Sequence, residues 1–261
     1  MSDYSRYVAI GDSQTEGVGD GDDLTGLRGW ADRLAEHLAA ANPGLTYGNL
    51  AVRGLRTRQI RETQLDVALA LRPDVATVMA GMNDLIRPSY DADAVSTDLE
   101  AMFAALTSAG ATVATCTFPD IGMIAPAARP LRARVVDLNE RILRLAQTYD
   151  VRVVRPDLHP VTTDPRIWAV DRLHASPLGH ERIAAGMAQA LGVPGFDDAW
   201  TTALPPLGRP PVLSRAINES RWLATFLAPW VARRVHGRSS ADGRVAKRPA
   251  LLPMTGDRSA G

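Results

Sequence analysis

One cysteine and one lysine occur among 261 residues. The lone thiol, Cys116, excludes an intrachain disulfide, and its place in the run Val113-Ala114-Thr115-Cys116 reads as a small buried side chain. No apolar run approaches the ~18 residues that a membrane-spanning helix needs. No basic and apolar leader precedes residue 13, so the expected location is the cytoplasm. His-Glu-x-x-His and related ligand spacings are missing, and no metal is expected. Gly11, Gly17, Gly19 and Gly21 do not fall into Gly-x-Gly-x-x-Gly after a strand, which argues against a dinucleotide and leaves no cofactor to expect. Formal net charge is zero, so bulk charge points to no nucleic-acid partner. There is no internal repeat.

What is present is a core-forming pattern. Hydrophobic residues make up 46% of the chain. Five short, almost continuous apolar runs read as strands covered on both faces: Tyr7–Ile10, Thr46–Leu50, Val75–Ala80, Thr112–Thr117 and Val151–Val154. Helical spacing lies between them. Trp30, Leu34 and Leu38 share one face, as do Val135, Leu138, Ile142, Leu145 and Ala146. Ser176-Pro177 opens a helix that runs to Leu191, with the serine as N-cap and the proline in the first turn. Strands alternating with helices predict an α/β fold, a three-layer α/β/α sandwich on a five-stranded parallel sheet.

The last quarter differs. Residues 196–261 carry 10 Lys and Arg against 5 Asp and Glu, a basic extension on an acidic body. The expected organisation is an α/β domain over 1–195, a Pro/Gly-rich linker over 196–213, an amphipathic helix over 214–236 kinked at Pro229, and an unstructured tail over 237–261. Trp222, Leu223, Phe226, Leu227, Trp230 and Val231 form the apolar stripe of that helix. It is expected to pack on its own domain; contact with a membrane surface through it is the less favoured alternative.

Gly11-Asp12-Ser13 follows the first predicted strand, and Asp171-Arg172-Leu173-His174 lies near the end of the domain. A serine hydroxyl needs a base to act as a nucleophile at neutral pH. His174 can serve as that base, and Asp171 can fix its tautomer, giving a triad in the order Ser13, Asp171, His174. Gly54, in Asn49-Leu50-Ala51-Val52-Arg53-Gly54, and Asn83, in Gly81-Met82-Asn83-Asp84, also follow apolar stretches. Together with the Ser13 N–H they offer donors for an oxyanion hole. Gly54 is also readable as a strand-exit glycine, and Asn83 as a turn residue. The Gly-x-Ser-x-Gly elbow of the α/β-hydrolases is missing.

These four blocks resemble those of the SGNH hydrolases, the GDSL-type esterase and lipase superfamily, over roughly residues 5–192. The resemblance implies a flavodoxin-like strand order, 2-1-3-4-5, with the site beyond the carboxyl ends of the strands. It also implies a serine esterase that cleaves small or medium acyl esters through an acyl-enzyme. Lysophospholipase, acyl thioesterase and carbohydrate deacetylase are alternatives within the superfamily. A catalytically silent module that binds a membrane or partner is the alternative outside it. The substrate-binding residues and the oligomeric state are not given by the sequence. Asp12 and Asp84 read as loop organisers, and His180 as a packed helix residue. His37, His159 and His236 show no partner pattern. Arg53 and Arg56 read either as contacts for an anionic group or as solvated. Phe118–Ile124 and Trp168 are candidates to wall the site.

Overall fold

The computed structural model describes residues 4–208, 211–229 and 240–254. In chain order the elements are β1 (Arg6–Gly11), α1 (Ser13–Glu16), a small hairpin of β2 (Gly21–Asp22) and β3 (Gly26–Leu27), α2 (Trp30–Ala41) and β4 (Thr46–Asn49). Next comes α3 (Thr57–Ile60), which passes through a π turn (Arg61–Leu65) into α4 (Asp66–Ala70). Then follow β5 (Val75–Met79), α5 (Met82–Leu85), α6 (Ala92–Ser108), β6 (Thr112–Cys116), α7 (Ile121–Ile124), α8 (Arg132–Thr148), β7 (Arg152–Val154), α9 (Pro177–Ala190), α10 (Val212–Trp222) and β8 (Arg248–Pro253). The five parallel strands stand in the order β7-β6-β5-β1-β4, the expected 2-1-3-4-5 arrangement. β1 and β5 are buried along nearly their whole length, because helices cover both faces of the sheet. On one face α2 packs against α9; on the other α6 packs against α8. Trp30, Leu34 and Leu38 of α2, and Val135, Leu138 and Ile142 of α8, are buried as their spacing predicts. Ser176 caps α9 by accepting from the Gly179 N–H at 3.2 Å.

The sheet has six strands, not five. β8 lies in the segment expected to be unstructured and pairs antiparallel with β4, Thr46 opposite Pro253 and Tyr47 opposite Leu252. Two prolines, Pro249 and Pro253, disguise it in the sequence; an edge strand tolerates them because one row of its backbone groups needs no partner. Side chains fasten it. Arg248 stacks over the Tyr47 ring at 5.4 Å, Lys247 donates to Asp32 Oδ2 at 2.5 Å, and Arg244 pairs with Asp23 at 2.8 Å. α10 begins at Val212 and runs through a second π turn, Leu223–Leu227, just ahead of Pro229, whose missing N–H leaves the Thr225 carbonyl without its i+4 donor. The remainder of the expected helix, to His236 and including Trp230 and Val231, lies outside the described residues, as do 255–261. No helix among the described residues is long and apolar enough to cross a membrane.

Candidate active site

Strand β1 ends at Gly11, where a Cβ would lie 2.4 Å from Thr15 Oγ1 and 2.7 Å from the Met79 carbonyl oxygen, so no side chain fits. Gln64, from the π turn after α3, clamps this glycine at both ends: the Gly11 N–H donates to Oε1 at 2.8 Å and Nε2 donates to the Gly11 oxygen at 2.9 Å. The chain then turns into α1 with Asp12 as N-cap and Ser13 as the first helical residue. A residue at that position has no partner for its N–H within the helix.

Beyond α9's N-terminal side, Asp171 Oδ1 accepts from the backbone N–H groups of Leu173 and His174 at 2.9 and 3.0 Å. Its other oxygen, Oδ2, lies 2.7 Å from His174 Nδ1, and His174 Nε2 lies 2.9 Å from Ser13 Oγ. A carboxylate only accepts, so Nδ1 carries the hydrogen and Nε2 is left to accept from the serine hydroxyl. Burial works against the charge on Asp171, but the hydrogen bonds from His174 and Leu173 outweigh it and hold the carboxyl below the usual range. Gln14 joins the two loops: its Nε2 donates to the Leu173 oxygen at 3.0 Å and its Oε1 accepts from the Ala175 N–H at 3.2 Å.

Gly54, with φ +82°, sits in the loop after β4, and Asn83 in α5 after β5; both line the same cavity as Ser13 and His174. Asn83 Nδ2 donates to Asp12 Oδ2 at 2.9 Å and to the Leu55 oxygen at 3.1 Å, so both amide hydrogens are engaged in this arrangement. Asp12 is buried, and desolvation pushes its pKa from 3.8 up to about 6 against the pull of its hydrogen bonds from Gln14 and Asn83. Asp84 does organise a loop, accepting from the Thr57 N–H and hydroxyl at 2.9 and 2.8 Å. Arg53 is not open to an anion. It makes a two-pronged pair with Glu16 and a second with Asp23, at 2.7 and 2.8 Å. Fully buried His180 accepts from the Trp30 N–H at Nδ1 and donates from Nε2 to the Val18 oxygen, each at 3.1 Å, which ties α9 to α2.

The cavity has a volume of about 370 Å³. Ile86, Phe118, Ile121, Ile124 and Trp168 give it an apolar wall, as the sequence suggested for Phe118–Ile124 and Trp168. Another part of the lining was not foreseen: Trp222, Phe226 and Leu227 reach in from the C-terminal extension. Gln64, Gln14 and Trp222 are the site-shaping residues that sequence reasoning missed. The described residues hold no cluster of three or more His, Cys, Asp or Glu able to bind a metal.

The arrangement can do acyl transfer: a hydroxyl faces a ring nitrogen whose partner nitrogen faces a carboxylate, at the mouth of an apolar pocket. Comparison with known proteins agrees. LAE5, an alpha/beta hydrolase enzyme from the metagenome of Lake Arreo, Spain, is 23% identical, with a TM-score of 0.60 over 72% of this chain and 95% of its own. Axe2, an acetylxylan esterase from Geobacillus stearothermophilus, is 19% identical, with a TM-score of 0.60 over 78% of this chain and 100% of its own. At these identities the likeness bears on the fold. Among curated proteins none matches the chain. The model of the GDSL-like Lipase/Acylhydrolase family matches residues 9–182, two thirds of the sequence, and the chain therefore belongs to that family of ester-hydrolysing enzymes.

Proposed function

We propose that this enzyme is a serine esterase that cleaves small or medium acyl esters through an acyl-enzyme, with Ser13 as nucleophile, His174 as general base and Asp171 as its orienting carboxylate. The observation that carries the reading is the continuous relay from Asp171 Oδ2 through both ring nitrogens of His174 to Ser13 Oγ, at 2.7 and 2.9 Å. In the first step Oγ attacks the ester carbonyl carbon and its proton passes to Nε2. The imidazolium, stabilised by Asp171, then gives that proton to the departing alcohol oxygen. Water repeats the sequence on the acyl-enzyme and frees the acid. The oxyanion formed at each attack is met by the N–H groups of Ser13 and Gly54 and by the Asn83 amide. Asn83 exchanges its longer bond, to the Leu55 oxygen, for the oxyanion, while the bond to Asp12 keeps the amide aimed.

The apolar pocket supports an alkyl or aryl ester over a polar sugar ester, which places carbohydrate deacetylation behind in the ranking. A silent binding module has no need of an aligned base and nucleophile. Labelling by a fluorophosphonate probe, together with turnover of p-nitrophenyl esters, tests the reading. Both are expected in the wild type and absent in Ser13→Ala, and a wild-type protein that neither labels nor turns over sinks it.

A further inference from the structure

The family match ends at residue 182, yet the chain beyond it reaches the site. Trp222, at the end of α10, is buried and donates its indole N–H to the Asp171 carbonyl oxygen at 2.9 Å. The next residue in that catalytic loop, Arg172, has φ +57°, a left-handed conformation that costs a non-glycine residue energy unless its surroundings hold it. The extension holds it. The Arg172 guanidinium lies over the Trp222 ring at 4.7 Å and pairs with Glu219 at 2.6 Å. One turn further on, Phe226 and Leu227 line the cavity that Ser13 and His174 open into. At its far end the extension is fastened again, by Arg244 on Asp23, Lys247 on Asp32 and β8 on β4.

We infer that Trp222, Phe226 and Leu227 form a wall of the substrate pocket and set the length of the alkyl chain the enzyme accepts. The inference rests on the esterase reading above. Two features carry it. The wall belongs to a segment docked by specific polar contacts on the catalytic loop itself, so its position is fixed relative to the nucleophile. Its exposed apolar edge, with Phe226 38% accessible, lines a cavity that Ile86, Phe118, Ile121 and Ile124 also line, an environment that takes hydrocarbon. Each methylene that a substrate buries there is worth about fourfold in kcat/KM. An alkyl chain can arrive on the acyl or on the alcohol side of the ester, and the two are separable by substrate series.

The test compares the full-length wild type, the Phe226→Ala/Leu227→Ala double variant and Phe226→Trp. One series is p-nitrophenyl esters from acetate to decanoate; the other is acetate esters of alcohols from methanol to octanol. In the wild type kcat/KM rises with chain length in one series, which names the side. In the double variant the octanoate-to-acetate ratio, or the octyl-to-methyl ratio, falls at least tenfold. Phe226→Trp, which fills the same space, shortens the longest well-used chain by about two carbons, since each methylene excluded loses its fourfold. A wild type that labels with fluorophosphonate and turns over esters, but whose ratios are the same in both variants and both series, overturns the wall and leaves the esterase reading standing. A wild type inert to probe and to every ester overturns both.

Discussion

Replacing Asp12 by Asn should make the fold less sensitive to pH. The carboxylate is 5% exposed, and its acceptor bonds, from the Gln14 N–H at 3.2 Å and Asn83 Nδ2 at 2.9 Å, do not make up for its burial, so its pKa climbs from 3.8 to about 6. The folded state therefore holds this proton more tightly than the unfolded chain does. The stability this gives is complete at low pH and is lost as pH rises from about 4 through 6. A shift of about two units corresponds to about 3 kcal/mol, most of it within pH 4–8. At roughly 2–4 °C per kcal/mol, that is roughly 5–10 °C in melting temperature. Asparagine carries no charge at either pH, so it removes this term. It also offers one acceptor where the carboxylate offered two, which costs about 1–3 kcal/mol at every pH. The two effects separate when the offset between variant and wild type is followed across pH. His180 runs the other way. Burial depresses its pKa from 6.5 to about 4, so its stability is present above 6.5 and lost as pH falls through 4, which flattens the wild-type profile. Both proteins retain His180, and its contribution cancels in the difference. Melting curves by circular dichroism at pH 4, 6 and 8 should show the offset moving in favour of Asp12→Asn by roughly 5–10 °C between the ends. A constant offset would refute the reasoning, because it would mean that Asp12 ionises in the fold as freely as in the unfolded chain.

Ser13→Ala and His174→Ala should each lower kcat by about 10⁴-fold or more with native circular dichroism, and near-wild-type turnover in either would reject the assignment. Asn83→Ala should cost about 100–1000-fold in kcat with little change in KM, since the oxyanion exists only after attack, and Asn83→Asp should be at least as damaging; an effect confined to KM would make Asn83 a substrate contact instead. Truncation after Gly195 should lower the melting temperature by several degrees and reduce kcat as well, since it strips β8 from Tyr47 and Trp222 from Asp171; a truncated protein that melts with the wild type would show that the extension packs on nothing.

Much of this was legible in the sequence, for a physical reason. Strands covered on both faces are apolar at nearly every position, so Val75–Met79 announces itself; helices on their flanks alternate with them, while the strand order came with the family resemblance. Ser176-Pro177 is equally plain, because a cap and a first-turn proline are local signals. Residues 11–13, 54, 83 and 171–174 were found because each marks a strand exit or a short local motif, and the structure brings them to one rim. Gln64 and Gln14 escaped because an amide on a helix has no local signature, and the atoms they clamp lie 53 and 159 residues away. Arg53 was readable only as a charge, since its partners Glu16 and Asp23 come from α1 and the β2–β3 turn, 37 and 30 residues away. Trp222 was read as part of an apolar stripe; that its indole nitrogen would be spent on Asp171 depends on tertiary placement alone.

The antiparallel strand on β4 has a consequence for biosynthesis. Its ladder joins Thr46 to Pro253, so β4 emerges from the ribosome roughly two hundred residues before the partner that covers its outer edge. During that interval the nascent chain presents the unpaired backbone of Thr46–Asn49, the kind of template on which neighbouring chains associate. The same delay keeps Trp222, and with it the brace on Asp171, out of reach of the growing molecule. An unfinished polypeptide is therefore exposed to aggregation and lacks this brace on Asp171, and completing translation removes both defects.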